Sequence, residues 1–152
     1  MFRGSTTTSL DSKGRMGLPV RTRETLMALD DGNLVVTIDP AEKCLLLYPV
    51  AAWEPLQRHL ETLDNLQAGV RSLQRIMIGH ATDVQIDGAG RILLPALLRN
   101  FAALDKTAIL VGQGKKLEIW SEEAWSIRRE HWQASSEEEL AKAKEVINGL
   151  SI

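Results

Sequence analysis

Two ten-residue stretches of the chain carry the same pattern of residues that can bind anions. The first, LDSKGRMGLP, spans residues 10–19, and the second, IDGAGRILLP, spans residues 86–95. Both keep an aspartate, a glycine and an arginine, and each arginine follows its aspartate by four residues. Guanidinium groups bind phosphate oxygens, or the edge of guanine, through paired hydrogen bonds. Arg15 and Arg91 are therefore the first candidates for contacts with a nucleic acid.

Each stretch is predicted to form a tight turn that presents its arginine. Asp11 and Asp87 can accept a hydrogen bond from the backbone two residues further on, and Gly14 and Gly90 can adopt positive φ. A second interpretation is structural, because each arginine could pair with its aspartate and do no more than stabilise the turn. The two stretches by themselves leave both interpretations open.

The charge around the first turn favours a role in binding phosphate. Residues 1–29 contain five basic side chains and two acidic ones, whereas residues 121–152 contain seven acidic and four basic ones. The five basic residues are Arg3, Lys13, Arg15, Arg21 and Arg23. A turn does not need this positive charge, but a phosphate backbone attracts it. Since Ala89 stands where the first turn has Lys13, the first turn is expected to lead and the second to support.

The similarity of the two stretches extends into both halves of the chain. Downstream of the turns, LLLYPVAAW at residues 45–53 matches LEIWSEEAW at residues 117–125. Residues 1–76 and 77–152 are therefore predicted to be two copies of one unit. In each copy the pattern indicates a strand, the turn, a second strand, a helix that begins after Pro19 or Pro95, a hairpin and then further helix.

One copy is too small to bury a sheet by itself. We therefore predict an α+β fold in which the two copies close on each other into one barrel with pseudo-twofold symmetry, flanked by peripheral helices. Trp53, Leu56, Leu60 and Leu63 recur at helical spacing, and Trp125 and Trp132 share a face of a later helix. These apolar stripes either cover the barrel or form a surface for self-association, and their spacing does not decide between them.

The composition is that of a globular protein with few signs of catalysis. The chain is 44% apolar with a formal net charge of −2. Cys44 and the three histidines (His59, His80, His131) lack ligand-like spacing, so no metal site is expected. The chain has no complete P-loop, dinucleotide fingerprint or serine elbow, so no cofactor and no catalytic residue are expected. Self-cleavage at Gly4-Ser5 to a pyruvoyl group is a weaker enzymatic alternative.

The distribution of apolar residues indicates a cytoplasmic protein. The sequence contains no run of 18 apolar residues, and the segment MFRGSTTTSL lacks the apolar core of a secretory signal. No membrane partner is therefore expected.

Several segments together resemble the MraZ family of bacterial transcriptional regulators along essentially the whole chain. They are MFRG, DSKGR, DGAGR, CLLLYP with its following tryptophan, and LQRIMIGHA. The resemblance implies two AbrB-like swapped-hairpin repeats joined in one barrel, and assembly of chains into a ring-like homo-oligomer. It also implies association with the nucleoid, and repression of the division and cell-wall gene cluster by binding repeated boxes in double-stranded promoter DNA. No small-molecule substrate is expected.

The family motif maps onto individual residues of this chain. By resemblance, Arg15 contacts bases or phosphate, Arg3 and Lys13 contact phosphate, and Arg91 belongs to the second DNA-contacting turn. The residues that shape the turns are Asp11, Gly14, Asp87 and Gly90. A competing hypothesis is a protein-interaction module, either antitoxin-like or a scaffold subunit, whose terminal helices bind a protein partner. Deletion of residues 135–152 would separate the two hypotheses.

Overall fold

The computed structural model describes residues 1–147 as an α+β fold of eight strands and six helices. The strands are β1 (Ser5–Ser9), β2 (Arg15–Gly17), β3 (Asn33–Ile38), β4 (Leu45–Pro49), β5 (Thr82–Gln85), β6 (Arg91–Leu93), β7 (Thr107–Gln113) and β8 (Lys116–Trp120). The helices are α1 (Val20–Asp30), α2 (Val50–Thr62), α3 (Ala68–Met77), α4 (Ala96–Phe101), α5 (Glu122–Gln133) and α6 (Glu137–Val146). Among these helices, none combines the length and the apolar composition that crossing a membrane requires.

The chain divides into two compact units, Met1–Glu122 and Glu123–Ile152. The first unit contains all eight strands, so strands from both predicted copies share it. The second unit contains α6 and nearly all of α5. Within this unit the rings of Trp125 and Trp132 lie 5.7 Å apart. The Oγ atom of Ser136 accepts the Glu139 N–H at 3.3 Å, which caps α6.

Six strands form one antiparallel sheet in the order β1-β7-β8-β4-β3-β5. The hairpins β3–β4 and β7–β8 confirm the predicted hairpin in each half of the chain. β4 from the first half pairs with β8 from the second, so neither half forms the sheet alone. Closure of this sheet into a barrel is not confirmed, because β1 and β5 stand at the two ends of the strand order.

The central strands are buried on both faces, which explains their nearly continuous apolar sequences. Leu34 and Val36 of β3 belong to the larger core, together with Met16 of β2 and Ile92 of β6. Val35 belongs to a second core on the opposite face. Adjacent residues of one strand thus serve two cores because side chains alternate across a sheet.

The second core accounts for the apolar stripe of α2. The side chains of Trp53 and Leu60 are only 3% and 4% exposed, and they pack with Val35 and Tyr48. The rings of Trp53 and Tyr48 lie 5.4 Å apart. Burial of such an aromatic side chain stabilises a fold by about 3 kcal/mol. Trp53 and Leu60 are therefore core residues, and Leu56 and Leu63 are half-buried against the same core, so the structure favours the covering role of the stripe.

Two prolines begin the helices that follow the repeated turns, as the sequence predicts. Pro19 precedes α1 with φ −56°, and Pro95 precedes α4 with φ −57°. A proline at this point costs no hydrogen bond, because the first N–H groups of a helix have no partner within the helix. Both helices therefore begin five residues after the glycine-arginine pair of their turn.

Candidate nucleic-acid interface

A small antiparallel ribbon of β2 and β6 brings the two repeated turns side by side. Met16 pairs with Ile92 at its centre, and both side chains are fully buried. The Leu18 N–H donates to the Gly90 carbonyl at 3.0 Å, and the Leu94 N–H donates to the Gly14 carbonyl at 2.9 Å. Each turn is thus hydrogen-bonded to the strand that leaves the other turn. Although 76 residues separate them in sequence, the turns form one local site.

The first turn has the predicted internal geometry. The Oδ1 atom of Asp11 accepts the N–H groups of Lys13 and Arg15 at 3.0 and 2.9 Å. The Gly14 N–H donates to the Asp11 carbonyl at 3.0 Å, and Gly14 has φ +85°, a conformation that favours glycine. Asp11 and Gly14 therefore determine the direction in which Arg15 leaves the turn.

The second turn reproduces this arrangement. The Oδ1 atom of Asp87 accepts the N–H groups of Ala89 and Arg91, both at 2.9 Å, and Gly90 has φ +77°. The matching hydrogen bonds confirm that both stretches encode the same turn.

Each arginine pairs with the aspartate of its own turn. The Nε atom of Arg15 donates to the Oδ2 atom of Asp11 at 2.6 Å, and the Nε atom of Arg91 donates to the Oδ2 atom of Asp87 at 3.2 Å. The Nη1 atom of Arg91 also lies 3.7 Å from the Oδ2 atom of Asp11, so one ion pair joins the turns. The structural pairing considered from the sequence is therefore present.

The pairing leaves about a third of each arginine side chain accessible. The side chains of Arg15 and Arg91 are each 35% exposed. Within the guanidinium of Arg15, only the Nε atom has a hydrogen-bond partner among residues 1–147, although the group carries five N–H donors. The Nη groups of Arg15 can therefore bind another acceptor while its Nε atom holds the turn.

The same hydrogen bonds keep both aspartates ionised. The backbone N–H of Arg15 is the main cause that lowers the pKa of Asp11 from 3.8 to about 2. The backbone N–H of Arg91 likewise lowers the pKa of Asp87. The two ionised carboxylates orient the arginines and also offset part of their positive charge.

Arg23 and Arg99 belong to this site, and the sequence reasoning missed their pairing. A Cβ atom on Gly14 would overlap the guanidinium of Arg99, and a Cβ atom on Gly90 would overlap that of Arg23. The Nε atom of Arg99 also donates to the Leu94 carbonyl at 3.0 Å. Each repeat thus places an arginine against the turn glycine of the other repeat. The repeat spacing could have identified them, because Arg23 and Arg99 are separated by the same 76 residues as Arg15 and Arg91.

The other predicted cations lie in two different places. Lys13 is exposed in the first turn, and Ala89 occupies the matching exposed position of the second turn. Arg3 is exposed beside the end of the β7–β8 hairpin, where it lines a cleft of about 310 Å³ together with Arg21. Within residues 1–147, Arg3 shares no hydrogen bond or ion pair with either turn.

The paired turns carry a surplus of positive charge. Five cationic side chains lie at or against them, and two carboxylates oppose these cations. The cations are Lys13, Arg15, Arg23, Arg91 and Arg99, and the carboxylates are those of Asp11 and Asp87. Arg23 and Arg99 make no ion pair within the described part of the chain. Chemically, the site is suited to a polyanion such as a phosphate backbone.

Comparisons with known proteins agree with the duplicated architecture. The family profile described as "MraZ protein, putative antitoxin-like" matches twice, at residues 1–76 and 77–147. A curated protein from Marinomonas sp. named "Transcriptional regulator MraZ" is 56% identical over 132 residues, which cover 87% of each chain. Proteins of the same name from Nitrosospira multiformis and Thioalkalivibrio sulfidiphilus are 52% and 45% identical. These alignments cover 86% of this chain and 88% of the Nitrosospira protein, and 100% of both chains for Thioalkalivibrio.

Proposed function

The chain belongs to the MraZ family, and from this membership and the paired turns we propose that it is a transcriptional regulator, not an enzyme, that binds promoter DNA sequence-specifically. It is a cytoplasmic protein that associates with the nucleoid as a ring-like homo-oligomer. It represses the division and cell-wall gene cluster by binding repeated boxes upstream of the promoter of that cluster.

The observation that carries the proposal is the joint presentation of Arg15 and Arg91 by one two-stranded ribbon. The major groove of B-DNA is about 12 Å wide and admits a two-stranded β-ribbon. The uncommitted Nη groups of Arg15 are suited to the O6 and N7 atoms of guanine or to phosphate oxygens. Lys13, at the exposed tip of the first turn, and Arg3 supply phosphate contacts.

Arg23 and Arg99 add positive charge at the base of the turns. Because each packs against the turn glycine of the other repeat, each also holds that turn in place. Both residues are half-buried. They therefore support the DNA-contacting side chains from behind, and their charge raises the local potential that attracts DNA.

Oligomerisation follows from the small number of contacts that one chain can make. Each phosphate contact contributes about −0.9 to the slope of log K against log salt, so three to five contacts give weak and salt-sensitive binding. Linked copies on repeated boxes gain affinity through effective concentration, by about 100-fold or more. A cleft of about 290 Å³ lined mainly by apolar side chains, among them Leu29, Pro49 and Pro55, is a candidate contact surface between copies.

The experiment is a titration of the protein into promoter DNA that carries the repeated boxes. Binding is measured by fluorescence anisotropy at several salt concentrations. Arg15→Ala is expected to abolish the preference for the boxes over unrelated DNA. Arg15→Lys keeps the charge but loses paired hydrogen bonding, so it should retain non-specific binding only. Arg75→Ala removes an exposed arginine of α3 and is the matched control, with no effect expected.

Thermal unfolding distinguishes a DNA contact from a structural role. Arg15→Ala leaves in place the backbone N–H groups that bind Asp11, so its midpoint should fall by less than about 4 °C. Loss of the native fold in Arg15→Ala, or box binding equal to that of the wild type, would contradict the proposal.

A further inference from the structure

Three side chains that commonly ligate metals meet beside the turn of the β3–β4 hairpin. Asp39 follows β3, Cys44 precedes β4, and Glu118 lies in β8. The Asp39 N–H donates to the Cys44 carbonyl at 3.1 Å, and Glu118 is the register partner of Leu46, two residues after Cys44. One ligand atom from each side chain lies within 4.8 Å of the other two. Strand pairing between the two halves of the chain thus creates the cluster.

Asp39 and Glu118 each retain one carboxylate oxygen that accepts no hydrogen bond from residues 1–147 and could bind a metal ion. The Oδ1 atom of Asp39 accepts the N–H groups of Ala41 and Glu42, at 2.7 and 2.9 Å, which leaves Oδ2 uncommitted. The Oε1 atom of Glu118 accepts the indole N–H of Trp120 at 3.1 Å, which leaves Oε2 uncommitted.

The thiol of Cys44 supplies the independent reason to expect a ligand. Cys44 is fully buried, and its sulfur has no hydrogen-bond partner within residues 1–147. A buried cysteine surrounded only by apolar atoms would be an ordinary small core residue. This sulfur faces two carboxylates instead, and a carboxylate is an unfavourable neighbour for a thiolate.

The cluster gathers acidic groups without an ion-pair partner. Two carboxylates and a thiol lie within 4.8 Å of one another, and neither Asp39 nor Glu118 forms an ion pair within residues 1–147. A divalent cation between the three ligand atoms would neutralise this concentration of acidic groups.

We propose that Asp39, Cys44 and Glu118 form a binding site for a divalent transition-metal ion, specifically Zn²⁺. Zinc binds thiolate sulfur at about 2.3 Å and carboxylate oxygen at about 2.0–2.2 Å, which places tetrahedral ligand atoms roughly 3.5 Å apart. The ligand atoms now lie within 4.8 Å of one another, so side-chain rotations that move each atom by about 1 Å would bring them to this tetrahedral spacing. The thiolate selects zinc over magnesium and calcium, which prefer oxygen ligands.

Metal binding at this position would join the two repeats. The zinc ion displaces the thiol proton to solvent and links the first hairpin to β8 of the second hairpin. A fourth ligand position remains for water. Because the metal binds the folded protein, it should raise the thermal midpoint.

The test uses the full-length protein after treatment with a chelator, titrated with Co²⁺ and then with Zn²⁺. A thiolate-to-cobalt charge-transfer band is expected to saturate at one metal per chain and to disappear when zinc displaces cobalt. Cys44 is the only cysteine of the sequence, so such a band reports this site alone. Cys44→Ser should abolish the band.

Two milder substitutions keep the test decisive if Cys44→Ser fails to fold. Glu118→Gln and Asp39→Asn should each lower zinc affinity by at least about tenfold and reduce the zinc-dependent rise in thermal midpoint. Glu54→Gln removes an exposed carboxylate of α2 and should leave both unchanged. Absence of the charge-transfer band from the wild type, or zinc affinity that neither Glu118→Gln nor Asp39→Asn reduces, would overturn the proposal.

Discussion

Replacement of Gly14 by alanine tests whether the reciprocal packing of Arg99 on the first turn matters. Gly14 has φ +85°, and a Cβ atom there would overlap the Arg99 guanidinium. A left-handed backbone conformation costs an alanine about 1–2 kcal/mol. Displacing Arg99 also breaks its hydrogen bond to Leu94, which costs about 1–2 kcal/mol more. The expected total of about 2–4 kcal/mol corresponds to a fall of roughly 4–16 °C in thermal midpoint.

Two other glycines separate the contributions to this loss. Gly4 has φ +83° but open space around its Cβ position, so Gly4→Ala should show the backbone cost alone. Gly88 has open space and no positive φ, so Gly88→Ala should leave stability nearly unchanged. Urea unfolding of the three variants gives the differences in free energy of unfolding directly.

DNA binding provides the second measurement on the same variants. Because Gly14→Ala shifts the turn that carries Arg15, it should weaken binding to promoter boxes by at least about tenfold, the equivalent of one lost hydrogen bond to a charged group. Gly88→Ala should bind as the wild type does. Equal stability of Gly14→Ala and Gly4→Ala, together with normal binding by Gly14→Ala, would refute the role assigned to Arg99.

Three further predictions concern the charges of the two turns and the C-terminal residues 135–152. Ala89→Lys gives the second turn the cation of the first, so it should tighten DNA binding at low salt and steepen the salt slope by about 0.9; an unchanged slope would place the second turn away from phosphate. The folded-state pKa of Asp11, about 2, lies below its ordinary 3.8, so its stabilising contribution is present above pH 3.8 and is lost as the pH falls towards 2. Asp11→Asn should remove that part of the acid sensitivity in thermal scans, and an identical acid profile would contradict the assignment. Deletion of residues 135–152 should leave DNA binding intact. If the deletion abolishes DNA binding, and only the full chain captures a protein partner, the protein-interaction module is favoured.

The turn geometry could be predicted because it depends on residues close together in sequence. Asp11 bonds to backbone groups two and four residues further on, and Gly14 supplies the positive φ within the same segment. The same holds for the prolines that begin α1 and α4. The hairpins could also be predicted from the sequence, because alternating apolar strands flank short turns.

The α2 stripe shows where periodicity stops being informative. Helical spacing identifies an apolar face but not the surface that covers it. In the structure Val35 and Tyr48 pack with Trp53, and the stripe lies against this second core. Closure of a barrel was likewise inferred from the need to bury a sheet, and the observed strand order meets that need with two cores and an unclosed sheet.

The sequence by itself determined the duplicated turns, the helix starts and the family, since these depend on residue types at short, fixed spacings. Only the tertiary structure decided which residues of one repeat meet those of the other. The packing of Arg99 against Gly14, the ion pair of Arg91 with Asp11 and the proximity of Glu118 to Cys44 all depend on strand pairing between the two halves. Side chains that are distant in sequence meet only when the whole chain has chosen one strand order, and that choice depends on burial of both cores together.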